Sequence, residues 1–306
     1  MTQLAVTKGH GTRNDFVLVD DRAGLLDLSA GRVAALCDRR AGVGGDGLIR
    51  LVGSSLLPEG AALLAQDPAA TWFMDYRNAD GSVAEMCGNG VRVLAELTVR
   101  LGLWDGTGEL VVGTRAGLRR VTTTSGPAGE PWYAVDMGPW LLPGGDAAVA
   151  AGSDALVSVD GLLAARPGLR VQVGNPHTVL ALADVAELAL AELWRAPRVE
   201  PRAPEGTNVE LVVPLGEEPS PDGAVGRLRM RVHERGVGET QSCGTGACAA
   251  ALAVRTWAGP GAPRTWLVEV PGGTVRVRVL DDGHVELAGP AVLVATVDVD
   301  LAALDG

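Results

Sequence analysis

The sequence predicts an α/β protein of the α+β type, built as two pseudo-symmetric domains, and three observations carry that prediction. At roughly 150 residues per domain, a chain of 306 residues makes about two domains. Short, antiparallel-looking strands outnumber helices, and the regular strand–helix alternation of a doubly wound sheet is missing. The same local sequence, Cys-Gly-x-Gly at the entrance of a helix, occurs at Cys87 and again at Cys243, about one domain length later.

Taken in order, residues 15–20 carry Phe16, Val17, Leu18 and Val19 and read as a buried strand. Ser29 caps a helix expected to run through Arg40, with Val33, Leu36 and Cys37 inward. Residues 48–52 read as a strand, 53–68 as a hairpin or loop, and 72–76 as a strand followed by turn chemistry at Asn78-Ala-Asp-Gly81. Val91, Leu94, Ala95 and Leu101 follow helical spacing, and strands are expected at 109–112 and 118–122. The Gly- and Pro-rich stretch 125–131 is the best candidate for a linker. Beyond it, strands are expected at 132–137, 156–159 and 170–173, a helix at 184–194 and a Pro-rich loop at 196–206. Leu228, Met230 and Val232 alternate with Arg229, Arg231 and His233, the pattern of a half-buried strand. Residues 247–258 form a helix that is apolar on nearly every side, and the valine-rich alternation from Trp266 onward reads as strands.

Composition removes several classes of function. An apolar fraction of 47% is ample for real cores, which excludes a disordered or disulfide-stapled chain. The net charge of −11 argues against nucleic acid as a bulk partner, because phosphate binding needs clustered cations. No run of about 18 apolar residues lacks a charge, and residues 1–16 do not resemble a signal peptide, so the expectation is a cytoplasmic protein without membrane contact. Four cysteines in such a chain read as reduced thiols. Lys8 is the single lysine, a composition that fits a GC-rich coding bias, and any Schiff-base chemistry must use it or be ruled out. His10, His177, His233 and His284 are scattered and do not pair with cysteines at metal-ligand spacing, so no metal is expected. Gly42-Val-Gly44-Gly-Asp-Gly47 matches the dinucleotide glycine pattern but follows a helix and precedes a strand, the reverse of that geometry.

The repeated Cys-Gly-x-Gly is where chemistry concentrates. Its glycines let backbone approach a ligand closely and sit at a helix start, where N–H groups lack intrahelical partners. The positive end of the helix dipole favours an anion there, either a thiolate or a substrate carboxylate. A lone cysteine at a helix start is commonly buried and inert; its repetition argues for a reactive pair. Cys37 and Cys248 lack this context and read as core. Two such entrances facing each other would form an anion-binding cleft with a thiol on each side.

Several longer motifs resemble the diaminopimelate epimerases. They are Gly9-His-Gly-Thr-Arg-Asn-Asp-Phe16, Asn78-Ala-Asp-Gly-Ser82, Glu85-Met-Cys-Gly-Asn-Gly90, Gly174-Asn-Pro-His177 and Glu234-Arg-Gly-Val-Gly-Glu-Thr-Gln-Ser-Cys-Gly-Thr-Gly-Ala247, with Pro271-Gly-Gly273 and Gly289-Pro290. They occur in the family's order and span nearly the whole chain. The resemblance implies two domains, each a curved, mainly antiparallel sheet around a central helix, with the C-terminal segment returning to the first. It sets the domains at 1–133 plus 290–306 and at 134–289.

The activity implied is a cofactor-independent interconversion of LL- and meso-diaminopimelate by a homodimer, with Cys87 and Cys243 as the acid/base pair. Inverting a carbon needs a proton taken from one face and another delivered to the opposite face, which two opposed thiols supply. By the same resemblance, amides of Gly88, Asn89, Gly244 and Thr245 hold the reacting carboxylate, and Asn14 and Asn175 line the reacting end. Asn78, Asn208 and Arg235 serve the distal carboxylate, Glu234 the distal ammonium, and His177 positions the site. The family commonly carries a glutamine where this chain has Gly47, which implies that one substrate contact is absent or replaced by water.

Alternatives within the fold are a proline or hydroxyproline racemase, whose first motif resembles Met-Cys-Gly-His where this chain has Asn89, and a phenazine-biosynthesis-like isomerase, which lacks the cysteine pair. A cysteine hydrolase would have His177 as its base and no use for a second helix-entrance cysteine. A non-catalytic amino-acid-binding protein is the remaining alternative. The stretches 53–68 and 196–222 look like variable loops and carry no inferred role.

Overall fold

A computed structural model describes residues 3–221 and 223–304. The chain divides into two compact units, Met1–Val135 with Gly289–Gly306, and Asp136–Ala288.

The first unit begins with β1 (Gln3–Gly11), β2 (Asn14–Asp20), α1 (Ala30–Cys37) and β3 (Gly47–Gly53), then α2 (Pro58–Gln66) and β4 (Trp72–Asn78). It continues through α3 (Gly88–Arg100), β5 (Leu110–Thr114), β6 (Gly117–Ser125) and β7 (Pro131–Asp136). The second unit contains α4 (Gly145–Ala151), β8 (Ala155–Ser158), β9 (Arg166–Val173), β10 (Asn175–Ala181), α5 (Val185–Leu190) and β11 (Arg198–Glu200). Then come β12 (Asn208–Glu218), β13 (Val225–Glu234), β14 (Gly238–Thr240), α6 (Gly244–Ala258), β15 (Thr265–Val270), β16 (Gly273–Val279) and β17 (Val285–Gly289). The chain ends in the first unit as β18 (Val292–Asp300) and α7 (Leu301–Leu304).

Strand pairing is where the duplication shows. In the first unit, the order β18-β1-β2-β3-β4-β5-β6-β7 reads antiparallel, antiparallel, parallel, antiparallel, parallel, antiparallel, antiparallel. In the second, the order β8-β9-β10-β12-β13-β15-β16-β17 gives the identical series. In each unit the helix between the fifth and sixth members of this order is the buried one. Helix α3 packs on β1, β2, β3, β6 and β18, and α6 packs on β9, β10, β12, β13, β15 and β16. A sheet that meets one helix along so many strands must curve around it, and the helix must then be buried nearly all round. Residues 88–95 of α3 are buried throughout, and so are 246–254 of α6. Burying α6 that way requires its Ala-Cys-Ala-Ala-Ala-Leu-Ala-Val run of small apolar side chains.

The structure corrects several local expectations. Residues 125–131 are not a linker: they turn β6 into β7 inside the first unit, with Gly129 at φ +84°. Glycine and proline mark a hairpin and a linker alike, so composition did not separate them. The stretch 53–68 is helical over Pro58–Gln66, started by proline at the position where its missing N–H is harmless. Helix α1 stops at Cys37 rather than Arg40, because Asp38 turns extended and its side chain accepts from the amides of Arg40 and Ala41. Helix α5 ends at Leu190, short of Trp194, where the Arg231 guanidinium takes the carbonyls of Leu188 and Ala191. Residues 196–222 are not all loop, since β11 and the eleven-residue β12 lie within them. Strands β1 and β10 and helix α4 carry no sequence expectation of their own, whereas β18 lies in the valine-rich stretch expected as strands. Among the described residues no helix is long and apolar enough to cross a membrane.

Candidate active site

Each unit presents one cysteine as the N-cap of its buried helix. Cys87 and Cys243 are both extended, at φ −136° and −122°, and the first helical bonds match: Val91 N–H to Cys87 O and Ala247 N–H to Cys243 O, each 2.9 Å. The amides of Gly88 and Asn89, and of Gly244 and Thr245, therefore lie ahead of the helical ladder, at the positive end of the dipole.

In the first unit, Asn14 opens β2 beside this entrance. Cys87 Sγ donates to Asn14 Oδ1 at 3.5 Å, and Asn89 Nδ2 donates to the same oxygen at 3.2 Å. Asn14 Nδ2 in turn donates to Asp46 Oδ2 at 2.7 Å, and Arg39 grips both Asp46 and Asp15. Burial raises the Asp15 carboxyl, but hydrogen bonds from Arg39 and Lys8 win and hold it at about 2. The fully buried Arg92 donates to Asn89 Oδ1 at 2.6 Å and to Thr12 Oγ1 at 3.4 Å, so the entrance is braced from beneath. Asn78 closes β4 and is held in its own turn, with Nδ2 donating to Ser82 Oγ at 3.0 Å. Lys8, the lone lysine, bonds Asp15 and the Gly44 carbonyl. The glycine-rich stretch 42–47 is thus a turn between α1 and β3.

The second unit repeats the geometry with other chemistry. Cys243 Sγ accepts from Gly246 N–H at 3.4 Å and lies 3.6 Å from Thr245 Oγ1. Burial raises this thiol well above the ordinary range; Glu234 and Glu210 push it further, and the Thr245 and Gly246 contacts do not offset them. Asn175 opens β10 as Asn14 opens β2, and its Oδ1 lies 2.9 Å from His177 Nε2. His177 Nδ1 lies 2.6 Å from Glu210 Oε1, both side chains being wholly buried. Asn208 Oδ1 accepts from the Arg235 backbone N–H at 2.8 Å, and the exposed Arg235 guanidinium holds the Glu205 carbonyl. Glu234 accepts from Thr240 Oγ1 at 2.5 Å.

The family model for diaminopimelate epimerase matches residues 6–142 and 169–294. The chain belongs to the diaminopimelate epimerase family. A diaminopimelate epimerase from Streptomyces coelicolor is 45% identical, with 100% of this chain and 98% of that one covered. One from Thermobifida fusca is 48% identical over 98% and 100%. Solved structures share the fold at low identity. A phenazine biosynthesis protein of the PhzF family from Bacillus anthracis has a TM-score of 0.64 at 16% identity, covering 98% of this chain and 99% of that one. A hydroxyproline epimerase from Agrobacterium vitis has 0.60 at 15%, covering 98% and 91%.

Within this epimerase-family chain, the structure sorts the sequence-predicted residues by unit. Asn14, Asn78, Cys87, Gly88 and Asn89 fall in the first; Asn175, His177, Asn208, Glu234, Arg235, Cys243, Gly244 and Thr245 fall in the second. Asn14, Cys87 and Asn89 meet directly, as do Asn175 with His177 and Cys243 with Thr245. Asn78 makes no side-chain bond to the Cys87 group. The glutamine common in the family has no room here: a Cβ at Gly47 would lie 2.5 Å from the Arg77 carbonyl and 2.8 Å from the Tyr76 ring. Sequence reading missed Asp46, Arg92, Thr240 and above all Glu210. Its signal was present, a lone carboxylate in the apolar run Val209-Glu-Leu-Val-Val213. Cys37 and Cys248 are buried, and burial pushes the Cys37 thiol up to about 11, the state of an inert core cysteine.

Proposed function

We propose that this chain epimerises LL- and meso-2,6-diaminopimelate without a cofactor, using Cys87 and Cys243 as its acid/base pair. The observation that carries this is the duplicated cysteine N-cap on a buried helix, in a chain whose full-length relatives bear the epimerase name. In the reaction, one sulfur as thiolate takes the α-proton from one face of the carbon. The other sulfur, as thiol, gives its proton to the opposite face, so the two protonation states exchange at each turnover. In the second unit Cys243 is set as the thiol, by burial and by the neighbouring carboxylates.

The intervening carbanion has no ring system to spread into, so fixed dipoles must hold it. Amides of Gly88, Asn89, Gly244 and Thr245 would supply them. Lys8, engaged by Asp15 and Gly44, supports a reading without a Schiff base. Asn14 and Asn175 would line the reacting end. Asn78, Asn208 and Arg235 would receive the distal carboxylate, and Glu234 the distal ammonium. The working form would be a homodimer in the reducing cytoplasm.

Incubation with LL-diaminopimelate in D2O under reducing conditions tests the proposal. The expected result is meso product carrying α-deuterium, and a loss of about 100-fold or more in Cys87→Ser and in Cys243→Ser. Absence of both product and deuterium would overturn it. A racemase for proline or hydroxyproline predicts turnover of those substrates instead. A non-catalytic binding protein predicts binding that is indifferent to both serine variants.

A further inference from the structure

Asn14 and Asn175 occupy equivalent places, each two residues before the residue that pairs with the start of the parallel strand: Phe16 with Gly47, His177 with Asn208. Their amides are held opposite ways round. Asp46 takes Nδ2 of Asn14, which turns Oδ1 toward Cys87 and Asn89. His177 takes Oδ1 of Asn175, whose Nδ2 makes no hydrogen bond among the described residues and is left to offer.

What fixes the second amide is a buried relay. Asn175 Oδ1 can only accept, so His177 Nε2 carries hydrogen. Nδ1 then either accepts from a protonated Glu210 or, in an imidazolium, donates to its carboxylate. Both placements of the shared proton leave Nε2–H intact. Loss of that proton would leave hydrogen on Nδ1 alone, and the Asn175 amide would have to turn over to offer Nδ2 to the bare Nε2. The groups facing Glu210 are His177 on β10, Glu234 at the end of β13 and Cys243 at the entrance of α6. Burial, with Glu234 adding to it and His177 opposing, raises the Glu210 carboxyl, the direction that favours a shared proton. The carboxyl leaves no room beside it, since a Cβ at Gly246 would lie 2.8 Å from Glu210 Oε1. The first unit has no such relay: the matching positions are Phe16 and Ile49, both wholly buried.

We propose that Glu210 is a positioning residue: acting through His177, it fixes the Asn175 amide with its NH2 group toward the substrate. The second unit thereby offers an amide NH2 where the first turns in an amide oxygen already taken by Cys87 and Asn89. The inference rests on the epimerase reading and adds to it. The carbon to be inverted carries a carboxylate, which can only accept, and an amide NH2 of fixed orientation is the partner it needs.

The test compares Glu210→Gln with Glu210→Ile, the residue of the matching position in the first unit. A glutamine NH2 donates to His177 Nδ1 and keeps the Nε2–H form; isoleucine gives Nδ1 no partner. Nitrogen-15 NMR of histidine-labelled protein reads the protonation of His177, and kcat and KM are measured with LL-diaminopimelate. The expected results are Nε2–H in the unaltered chain and in Glu210→Gln, near-native rates in Glu210→Gln, and kcat/KM about 100-fold lower in Glu210→Ile. Should Glu210→Ile fail to fold, the pair His177→Phe with Glu210→Ile rebuilds the apolar floor of the first unit and is expected to fold with the same loss. Full activity in either folded isoleucine variant, or an unprotonated Nε2 in the unaltered chain, would overturn the proposal. If the unaltered chain does not turn over diaminopimelate, the functional reading fails, and the histidine spectrum still decides the relay by itself.

Discussion

At the entrance of α3, Gly90 sits over the Met74 methyl and the Ile49 side chain; at the entrance of α6, Gly246 sits over the Glu210 carboxyl. The two helices are seated by the same series of strand pairings and capped by cysteines with the same first bond, yet one floor is apolar and the other is a buried acid–imidazole pair. The duplication kept what aims a thiol at a helix dipole and let the support diverge. The first asparagine is steered from the rim, by Asp46 and Arg39; the second is steered from the core, by His177 and Glu210. Backbone pairing thus fixes where the thiol stands, and the floor fixes what the neighbouring amide offers.

The strongest way to break that comparison is to add one methyl to each floor. In Gly246→Ala, the new Cβ meets Glu210 Oε1 at 2.8 Å and the Cys243 sulfur at 3.3 Å, and a buried carboxyl pinned to His177 cannot retreat cheaply. In Gly90→Ala, the contacts at 2.8 and 2.9 Å are the mobile tips of Met74 and Ile49. Both substitutions overpack, at about 1–3 kcal/mol, with Gly246→Ala at the upper end and Gly90→Ala at the lower. Urea midpoints and turnover check this, and activity should fall further in Gly246→Ala. Equal losses would mean that the two floors yield alike.

The two supports also titrate in opposite senses, Asp15 at the rim of the first unit and Glu210 in the floor of the second. Asp15 has its carboxyl held at about 2, below its unfolded value of about 3.9. Its contribution, on the order of 2 kcal/mol, is complete above the unfolded value and is lost as pH falls through about 2. Glu210 is raised, so its contribution is complete in acid and drains away as pH rises toward the raised value. Urea midpoints measured across the pH range should show Asp15→Asn flattening the acid limb, and Glu210→Gln removing the fall in stability that sets in as pH rises above the ordinary glutamate range. An acid limb unchanged in Asp15→Asn would show that the Lys8–Asp15–Arg39 clamp does not set it.

Much of this contrast was open to sequence reading, and the part that was not has a physical cause. Cys-Gly-x-Gly, the strand before it and the helix after it are local, so both entrances could be placed from residues alone. The duplication itself was visible as a repeated motif; the identical pairing series was not, because strand order is a long-range property. Strand β1, with polar Thr7, Lys8 and His10 among its apolar residues, gave no clean period to read. Glu210 was passed over because its partner His177 lies 33 residues away and joins it only through the parallel pairing of β10 with β12. Gly47 looked like a lost contact, whereas in the structure the Arg77 carbonyl and the Tyr76 ring occupy the space a side chain would need.

The smallest expected difference lies in the outer helices, α1 after β2 and α5 after β10, again matching positions in the two units. Ser29 Oγ accepts once, from Arg32 N–H at 3.3 Å; Asp184 Oδ1 accepts twice, from Ala186 and Glu187 N–H at 2.9 Å each. A charged acceptor at a helix start also gains from the dipole, and α5 has only six residues to share the loss of its cap. Removing the caps should therefore cost about 1 kcal/mol in Asp184→Ala and about 0.5 kcal/mol in Ser29→Ala, with turnover unchanged in both. Urea midpoints resolve such a difference. If Ser29→Ala proved the costlier, the longer α1 would depend on its cap more than α5 does, and bond count would be the wrong measure of a cap. A drop in turnover in Asp184→Ala would instead tie α5 to the orientation of β10, and through it to Asn175 and His177.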